Sequence, residues 1–125
     1  MTPRQRILVV ERLAWLRESI GEVLIKGGYL PCLAASKRDA LRQATRCRPA
    51  AVLVGAALED GTGGQVITEL CRLEIYAPVV GLSGREDTTA LFHNAGVVAI
   101  VKKPFTSAEL LAAVRAALEI PKIKP

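Results

Sequence analysis

Four residues suited to binding charged groups follow or end apolar runs in this sequence. Glu11 and Arg12 come directly after ILVV, Ser83 ends PVVGLS, and Lys103 follows VVAIVK. A carboxylate binds cations, whereas hydroxyl and ammonium groups bind the oxygens of phosphate-like anions. The central run, AAVLVG, ends instead on Gly55, which supplies no side chain. These residue types predict a site for charged groups and raise the question of what a glycine does at its centre.

Five apolar runs alternate with five segments of helical period, and these elements must position the site. The runs are ILVVE (7–11), YLPCLAA (29–35), AAVLVG (50–55), PVVGLS (78–83) and VVAIVK (97–102). Continuous apolar runs are typical of strands covered on both faces, and their alternation with helices predicts a parallel sheet. Pro31 indicates that the second strand lies at an edge, because proline cannot donate a ladder hydrogen bond. We predict an α/β fold of the (βα)5 type, a three-layer sandwich around a central five-stranded parallel sheet, with the site at the carboxyl ends of the strands.

Local signals mark the ends of several helices. Ser36 with Asp39, and Thr106 with Glu109, fit the capping-box pattern at a helix start. The glycine pair 27–28 predicts the end of the first helix, whose apolar face contains Leu16, Ile20, Val23 and Leu24.

The less sharply delimited helices are predicted at about 64–73 and about 86–94. Residues 1–120 are expected to form one domain, and residues 121–125 a tail or the start of a linker.

Composition narrows the classes of function. Half of the 125 residues are hydrophobic and 23% are charged, as in ordinary globular domains. No apolar run is long enough to span a bilayer and no secretory signal precedes the first strand, so we expect a cytoplasmic protein without a membrane partner. The spacing of the three cysteines fits no metal or redox motif, so we expect reduced thiols: Cys32, Cys47 and Cys71.

A basic stripe accompanies the net charge of +5. Arg38, Arg42 and Arg46 recur every fourth residue and would share one helix face. The stripe is either a solvated helix face or a surface for an acidic partner. Nucleic acid is an unlikely partner, because no aromatic residues are interleaved with these arginines to stack on bases.

Several motifs in order resemble the receiver domains of two-component response regulators, a CheY-like, flavodoxin-like family. The resemblance runs from Arg6 to about Glu119. It rests on ILVVER, the Gly27-Gly28-Tyr29 turn, RPAAVLVG, Gly63, the strand ending in Ser83, Ala95-Gly96 and Lys103-Pro104-Phe105.

The resemblance implies a site that has lost part of its usual apparatus. In the family, two acids after the first strand and an aspartate ending the third hold Mg²⁺, and that aspartate accepts a phosphoryl group. Glu11 stands at the first acid, Arg12 at the second and Gly55 at the phosphoacceptor, while Ser83 and Lys103 match the hydroxyl and lysine that bind phosphoryl oxygens. This pattern implies a degenerate phosphorylation pocket with no metal, no cofactor and no catalytic residue.

Two charged residues are candidates to pair with Glu11 in such a pocket. We expect Arg12, Lys103 or both to bind it and hold the pocket in one state without metal. Alternatively, Arg12 points to solvent or meets Glu59 or Asp60.

The remaining polar residues near the pocket have plainer interpretations. Ser83 either retains a site role or simply bonds the local backbone. The family's cis peptide bond is expected before Pro104, and the lone His93 is expected to be a partly buried helical residue rather than a base.

The resemblance also implies a signalling face made by the fourth helix, fifth strand and fifth helix. Ile100 occupies the position of the family's switching aromatic residue, so the switch is expected to be disabled. Val98 and Ala99 are either extra core or, with Leu91, an interface for a homodimer or client protein. Trp15 is expected about one turn into the first helix, opposite Leu16 and Ile20, as a partner anchor or as cover for the pocket.

The sequence therefore predicts an atypical receiver domain in two-component phosphorelay signalling, not an enzyme. Its expected role is a phosphorylation-independent protein-interaction module whose partner is a signalling protein or effector domain. The alternative is a receiver-like domain that binds a small anionic ligand in a basic pocket formed by Arg12, Ser83 and Lys103.

Overall fold

A central parallel sheet with helices on both faces forms the structure. The computed structural model describes residues 3–84, 92 and 96–120 of the chain. The elements within these residues are β1 (Arg6–Val10), α1 (Ala14–Lys26), β2 (Leu30–Ala34), α2 (Lys37–Cys47), β3 (Ala51–Gly55), β4 (Ala57–Leu58), β5 (Gly61–Thr62), α3 (Gly63–Arg72), β6 (Val79–Ser83), β7 (Ala99–Lys102) and α4 (Ser107–Leu118).

The five longer strands form one parallel sheet in the order β2-β1-β3-β6-β7, which confirms the predicted fold class. Strand β2, which contains Pro31, lies at an edge as expected. The strand order reverses direction between β1 and β3, and ligand sites of such sheets lie beside this reversal, at the carboxyl ends. Glu11 and Gly55 occupy those two strand ends.

Successive residues of a strand pack into the apolar layers on opposite faces of the sheet, which explains the continuous apolar runs. Leu8 and Val10 of β1 pack with α2 and α3 on one face of the sheet. Ile7 and Val9 pack with α1 and α4 on the other face. Because both faces are covered, β1 needs apolar side chains at successive positions rather than at every second one.

The helix starts agree with the sequence in one case and differ in another. Thr106 and Glu109 form the predicted capping box of α4. At α2 the Ser36 hydroxyl accepts from the Asp39 N–H, but the Asp39 carboxylate accepts from Ala35 N–H at 3.3 Å. The reciprocal half of that predicted box is therefore replaced by a bond one residue earlier.

Phe92 fills a space that two glycines leave open beneath the sheet. Its ring is buried against β6, where a Cβ added at Gly81 would lie 2.8 Å from ring carbon Cε2. An added Cβ at Gly63, the first residue of α3, would also clash with the ring. The rest of the helix predicted at about 86–94, including His93, lies outside the described residues, as does the predicted tail at 121–125.

Candidate functional site

Four strand ends bring the predicted site residues together at one edge of the sheet. Glu11 follows β1, Gly55 ends β3, Ser83 ends β6 and Lys103 follows β7. The backbone N–H of Lys103 donates to the Ser83 carbonyl at 2.8 Å, which fixes the last strand end against its neighbour. The predicted cis peptide bond before Pro104 is present.

Glu11 is a buried carboxylate with both oxygens engaged. Its side chain is 3% exposed, and Oε1 lies 2.7 Å from Lys103 Nζ. Oε2 accepts a hydrogen bond from the Leu13 N–H at 3.0 Å. Leu13 is the N-cap of α1 and has no capping side chain of its own, so Glu11 joins the lysine to the start of this helix.

The backbone of Gly55 lies close against this carboxylate, which occupies the space that a side chain at position 55 would need. A Cβ built on Gly55 would lie 3.2 Å from Glu11 Oε1 and 3.5 Å from the Val10 carbonyl oxygen. The Glu11–Lys103 ion pair therefore lies directly beside the end of β3.

Arg12 does not take part in this ion pair. Arg12 is exposed, and it forms no ion pair with any residue that the structure describes. Arg17 instead holds the loop, because its Nη1 donates to the carbonyls of Glu11 at 2.8 Å and Arg12 at 3.4 Å. Of the two expected partners of Glu11, Lys103 is the one that binds it, and Arg12 faces solvent.

Asp60, the other considered partner of Arg12, binds a different element. Its carboxylate accepts from the backbone N–H groups of Lys37 at 2.8 Å and Arg38 at 2.9 Å, at the start of α2. These two hydrogen bonds lower the pKa of the Asp60 carboxyl below its usual value. The short β4–β5 hairpin that follows Gly55 is thereby attached to the neighbouring helix.

Thr62 links the same hairpin to α3 through a capping box. Its hydroxyl accepts from Gln65 N–H, and the Gln65 side chain accepts from Thr62 N–H. Sequence reasoning missed this box, although T-x-x-Q at 62–65 is its recognisable signal.

The donor set does not fit the Mg²⁺ site that the family resemblance suggests. Glu11 supplies one carboxylate, and its oxygens already bind an ammonium group and a backbone N–H. Arg12 contributes a cation and Gly55 contributes no ligand, whereas Mg²⁺ requires several oxygen donors. Among the described residues, no three His, Cys, Asp or Glu side chains are grouped so as to hold a metal ion.

Ser83 is buried rather than open to a ligand. It is 1% exposed at the end of β6. Lys103 keeps 25% of its side chain exposed while its charge faces Glu11. These two residues lie at the same edge of the sheet, but only the lysine reaches solvent.

A mostly apolar groove of about 430 Å³ runs along α1, next to the ion pair. One wall is formed by α1 and the other by the segment that leads from Lys103 into α4. The lining residues are Leu13, Trp15, Leu16, Ser19, Ile20, Val23, Lys103, Pro104, Phe105 and Ser107.

Trp15 differs from its predicted placement. It is the second residue of α1 rather than one turn in, and it lines the groove together with Leu16 and Ile20. The position along the helix was predicted wrongly because no capping side chain marks the start of α1. At 69% exposure, Trp15 borders the groove and does not cover the pocket.

The other predicted interface residues lie on β7, at the sheet edge, or directly before it. Val98 is 40% exposed, Ala99 is exposed, and Ile100 is partly buried against the core. Val98 and Ala99 are thus not extra core. Leu91 lies outside the described residues.

The predicted arginine stripe lies on the surface of α2, and the helices of the structure can be compared with the length of a membrane span. Arg38, Arg42 and Arg46 are exposed on α2, and Arg42 pairs with Asp39 on the same helix. In the described part of the chain, no helix has the length and apolar character needed to cross a bilayer.

The fold and the strand-end site together define a receiver-type α/β domain. Residues 7–115 match the family described as the response regulator receiver domain, and the chain belongs to that family. This assignment confirms the family that the sequence motifs indicated.

Full-length regulators are among the relatives. The chain is 34% identical over 119 residues to the DNA-binding response regulator MtrA of Mycobacterium tuberculosis, a match that covers 94% of this chain and 52% of that protein. It is 33% identical over 118 residues to the phosphate regulon transcriptional regulatory protein PhoB of Escherichia coli, with 91% and 52% covered. The chain therefore spans about half the length of these relatives.

Solved structures agree on the fold. A CheY-like receiver domain protein from Methanospirillum hungatei superposes with a TM-score of 0.84 at 22% identity, covering 93% of this chain and 94% of that one. NtrX from Brucella abortus gives a TM-score of 0.85 at 24% identity, with 92% of this chain and 27% of NtrX covered.

Proposed function

We propose that this receiver domain is an atypical one that acts as a phosphorylation-independent protein-interaction module in two-component signalling. The observation that carries the proposal is Gly55 at the end of β3, where the family has its phosphoacceptor aspartate. Glycine has no side-chain oxygen, so no acyl phosphate can form at this position. The unsuitable Mg²⁺ donor set supports the same conclusion, because the transfer needs its charge neutralised by a cation.

The Glu11–Lys103 ion pair supplies the reason for a constant conformation. In the family the matching lysine binds a phosphoryl oxygen, and here the carboxylate oxygen of Glu11 already binds it at 2.7 Å. A buried pair resists separation, since removing either partner leaves a charge with too few ligands. The pocket thus keeps its lysine bound to an internal anion and stays in one state, and a partner can shift the rest of the domain only through unequal affinity for its states.

The groove beside α1 is the proposed partner surface. Its apolar lining and the exposed indole of Trp15 suit the apolar face of a helix, with Trp15 as an anchor at the border of the groove. The family resemblance associates this face with kinases and phosphotransfer proteins. The partner class is accordingly a signalling protein or an effector domain, and a homodimer through the exposed edge at Val98 and Ala99 is a further proposal.

The anionic-ligand alternative is less favoured by the geometry. Lys103 is already neutralised by Glu11, Ser83 is buried, and Arg12 is exposed and forms no ion pair among the described residues. A small anion would have to displace a buried carboxylate to reach the lysine.

Phosphorylation is tested by incubating the protein with radiolabelled acetyl phosphate and Mg²⁺. We expect no hydroxylamine-labile label on the wild-type chain. The matched control is the double variant Arg12→Asp/Gly55→Asp, which restores an acceptor and a second acid without changing any other residue. Stable label on another aspartate of the wild-type chain would overturn the proposal.

Partner binding is tested separately with histidine kinases and phosphotransfer proteins encoded in the same genome. Trp15→Ala should weaken binding of the partner about tenfold or more, as expected for an interface anchor. Ile25→Ala is the matched control, because Ile25 is also an exposed apolar residue of α1 but does not line the groove. Equal loss in both variants would remove the groove from the proposal.

A further inference from the structure

The outer face of α2 is strongly basic and takes no part in the strand-end site. Residues 37–48, which form α2 and its C-cap, contain five cationic side chains and one acid, so this segment carries +4 of the net charge of +5. Four of its arginines are exposed and are called the α2 basic face: Arg38, Arg42, Arg46 and Arg48. At 3.6 residues per turn, the three arginines within the helix lie within about 80° of its circumference and extend over about 12 Å.

The packing of α2 does not require these charges. The residues of α2 that are buried against the core lie on the opposite side of the helix: Ala40, Ala44 and Cys47. Arg42 pairs with Asp39, but Arg38 and Arg46 form no ion pair with any residue that the structure describes. Like charges four residues apart repel each other, so the three arginines destabilise the helix that presents them.

Arg48 adds a further charge at a position that favours glycine. It is the C-cap of α2, with φ 44° and ψ 74° in the left-handed region. A residue with a Cβ is strained in this conformation, and glycine is the residue most often found there at the end of a helix. A basic side chain is therefore present where the backbone alone would favour none.

We propose that the α2 basic face binds an acidic helical segment of a partner protein and is a second docking surface of the domain. Carboxylates four residues apart on a helix recur about every 6 Å along its axis, as the arginines of α2 do. A helix lying alongside α2 would thus face each guanidinium with a carboxylate, to which arginine donates two parallel hydrogen bonds.

This surface is separate from the groove beside α1. Helix α2 packs on one face of the sheet, whereas α1 and α4 pack on the other. The domain can therefore hold an acidic partner on α2 and another partner in the groove at the same time. The inference does not depend on the proposed function, because it uses neither Gly55 nor the groove residues.

The start of α2 is closed to phosphate, which favours carboxylates over nucleic acid as the bound anions. The Asp60 carboxylate accepts from the N–H groups of Lys37 and Arg38. The Ser36 hydroxyl accepts from the N–H of Asp39. The first three N–H groups of the helix, which would otherwise bind a phosphate, are therefore already engaged.

A membrane surface is also disfavoured. Helices that lie on anionic bilayers insert large apolar side chains beside their basic ones. Among the described residues, none of the large hydrophobic side chains that are exposed lies on α2. The α2 basic face offers charge without an apolar anchor, which suits a charged protein surface.

The test measures binding of a defined acidic helix to the full chain by fluorescence anisotropy. The probe is a stapled, fluorescein-labelled, alanine-rich peptide with glutamate at every fourth position. A second stapled peptide of the same composition has its glutamates spread around the helix. We expect the first peptide to bind at least about threefold more tightly than the second in low salt, and its affinity to fall as salt is added.

Two double variants separate the α2 basic face from net charge. Arg38→Gln/Arg46→Gln should weaken binding of the first peptide about fivefold, because each exposed ion pair contributes about two- to threefold. Lys26→Gln/Arg115→Gln is the matched control, since it removes two exposed cations from α1 and α4 and leaves the same net charge. The control should change the affinity by less than about twofold.

Three outcomes would overturn the proposal. Wild-type protein that does not bind the first peptide, or binds both peptides equally, would show that the arginine spacing is not recognised. Equal losses in the two double variants would show that net charge alone attracts the peptide. Tighter binding of a DNA duplex, or of phosphatidylcholine–phosphatidylserine vesicles, that is lost in Arg38→Gln/Arg46→Gln would assign the face to that other anion.

Discussion

Replacing Lys103 by methionine should reveal how strongly the strand-end ion pair holds this domain together. The Glu11 carboxylate is 3% exposed beside Lys103, and in Lys103→Met it would keep only the Leu13 N–H as its bonded donor. Breaking a buried pair on one side costs about 3–5 kcal/mol, because the remaining charge is left with too few ligands. Since the Lys103 side chain is 25% exposed and water can enter where it was, we expect the lower end, about 3 kcal/mol, in the free energy of unfolding.

The assay is urea unfolding followed by far-ultraviolet circular dichroism, with a double-mutant cycle as the control. Glu11→Gln/Lys103→Met removes both charges and keeps an amide oxygen to accept from Leu13 N–H. We expect the double variant to regain about 2 kcal/mol relative to Lys103→Met alone. A Lys103→Met protein within about 0.5 kcal/mol of wild type would refute the argument, because it would show that the lysine does not neutralise Glu11.

Two further predictions concern the helix starts. Asp60→Ala should make the free energy of unfolding depend less on pH in acid solution. The pKa of the Asp60 carboxyl is lowered in the folded state, so the stabilisation by this carboxylate is present above the usual value of 3.8 and is lost as the pH falls through the folded-state pKa. Urea unfolding at pH 7 and pH 3 should show a larger loss for wild type than for Asp60→Ala, and parallel losses would contradict the role of the bonds to Lys37 and Arg38. Thr106→Ala should cost about 1 kcal/mol in the free energy of unfolding, because α4 loses the hydroxyl that accepts from Glu109 N–H. Equal urea midpoints for Thr106→Ala and wild type would contradict that role.

Much of the fold could be predicted because apolar runs of five or more residues leave a strong local signal. All five long strands lie at the predicted runs, and α4 begins with the predicted pair Thr106 and Glu109. The β4–β5 hairpin was missed because strands of two residues have no readable period.

The site could be predicted only as a set of strand ends. Parallel topology places Glu11 and Lys103 at one edge although 92 residues separate them, but it does not decide whether Lys103 or Arg12 reaches the carboxylate. The hydrogen bonds between Asp60 and the start of α2 likewise join residues more than twenty positions apart, so no local sequence pattern predicts them. Such pairings depend on side-chain direction, which periodicity does not encode.

The ring of Phe92 occupies the space beside Gly81, so these two positions share one volume. A methyl group at Gly81 would need the space that the ring occupies, so enlarging this residue is tolerable only when residue 92 becomes smaller. Substitutions here should therefore be accepted in compensating pairs and rejected singly, and natural variants of this domain should exchange bulk between the β6 strand and position 92 rather than alter either alone.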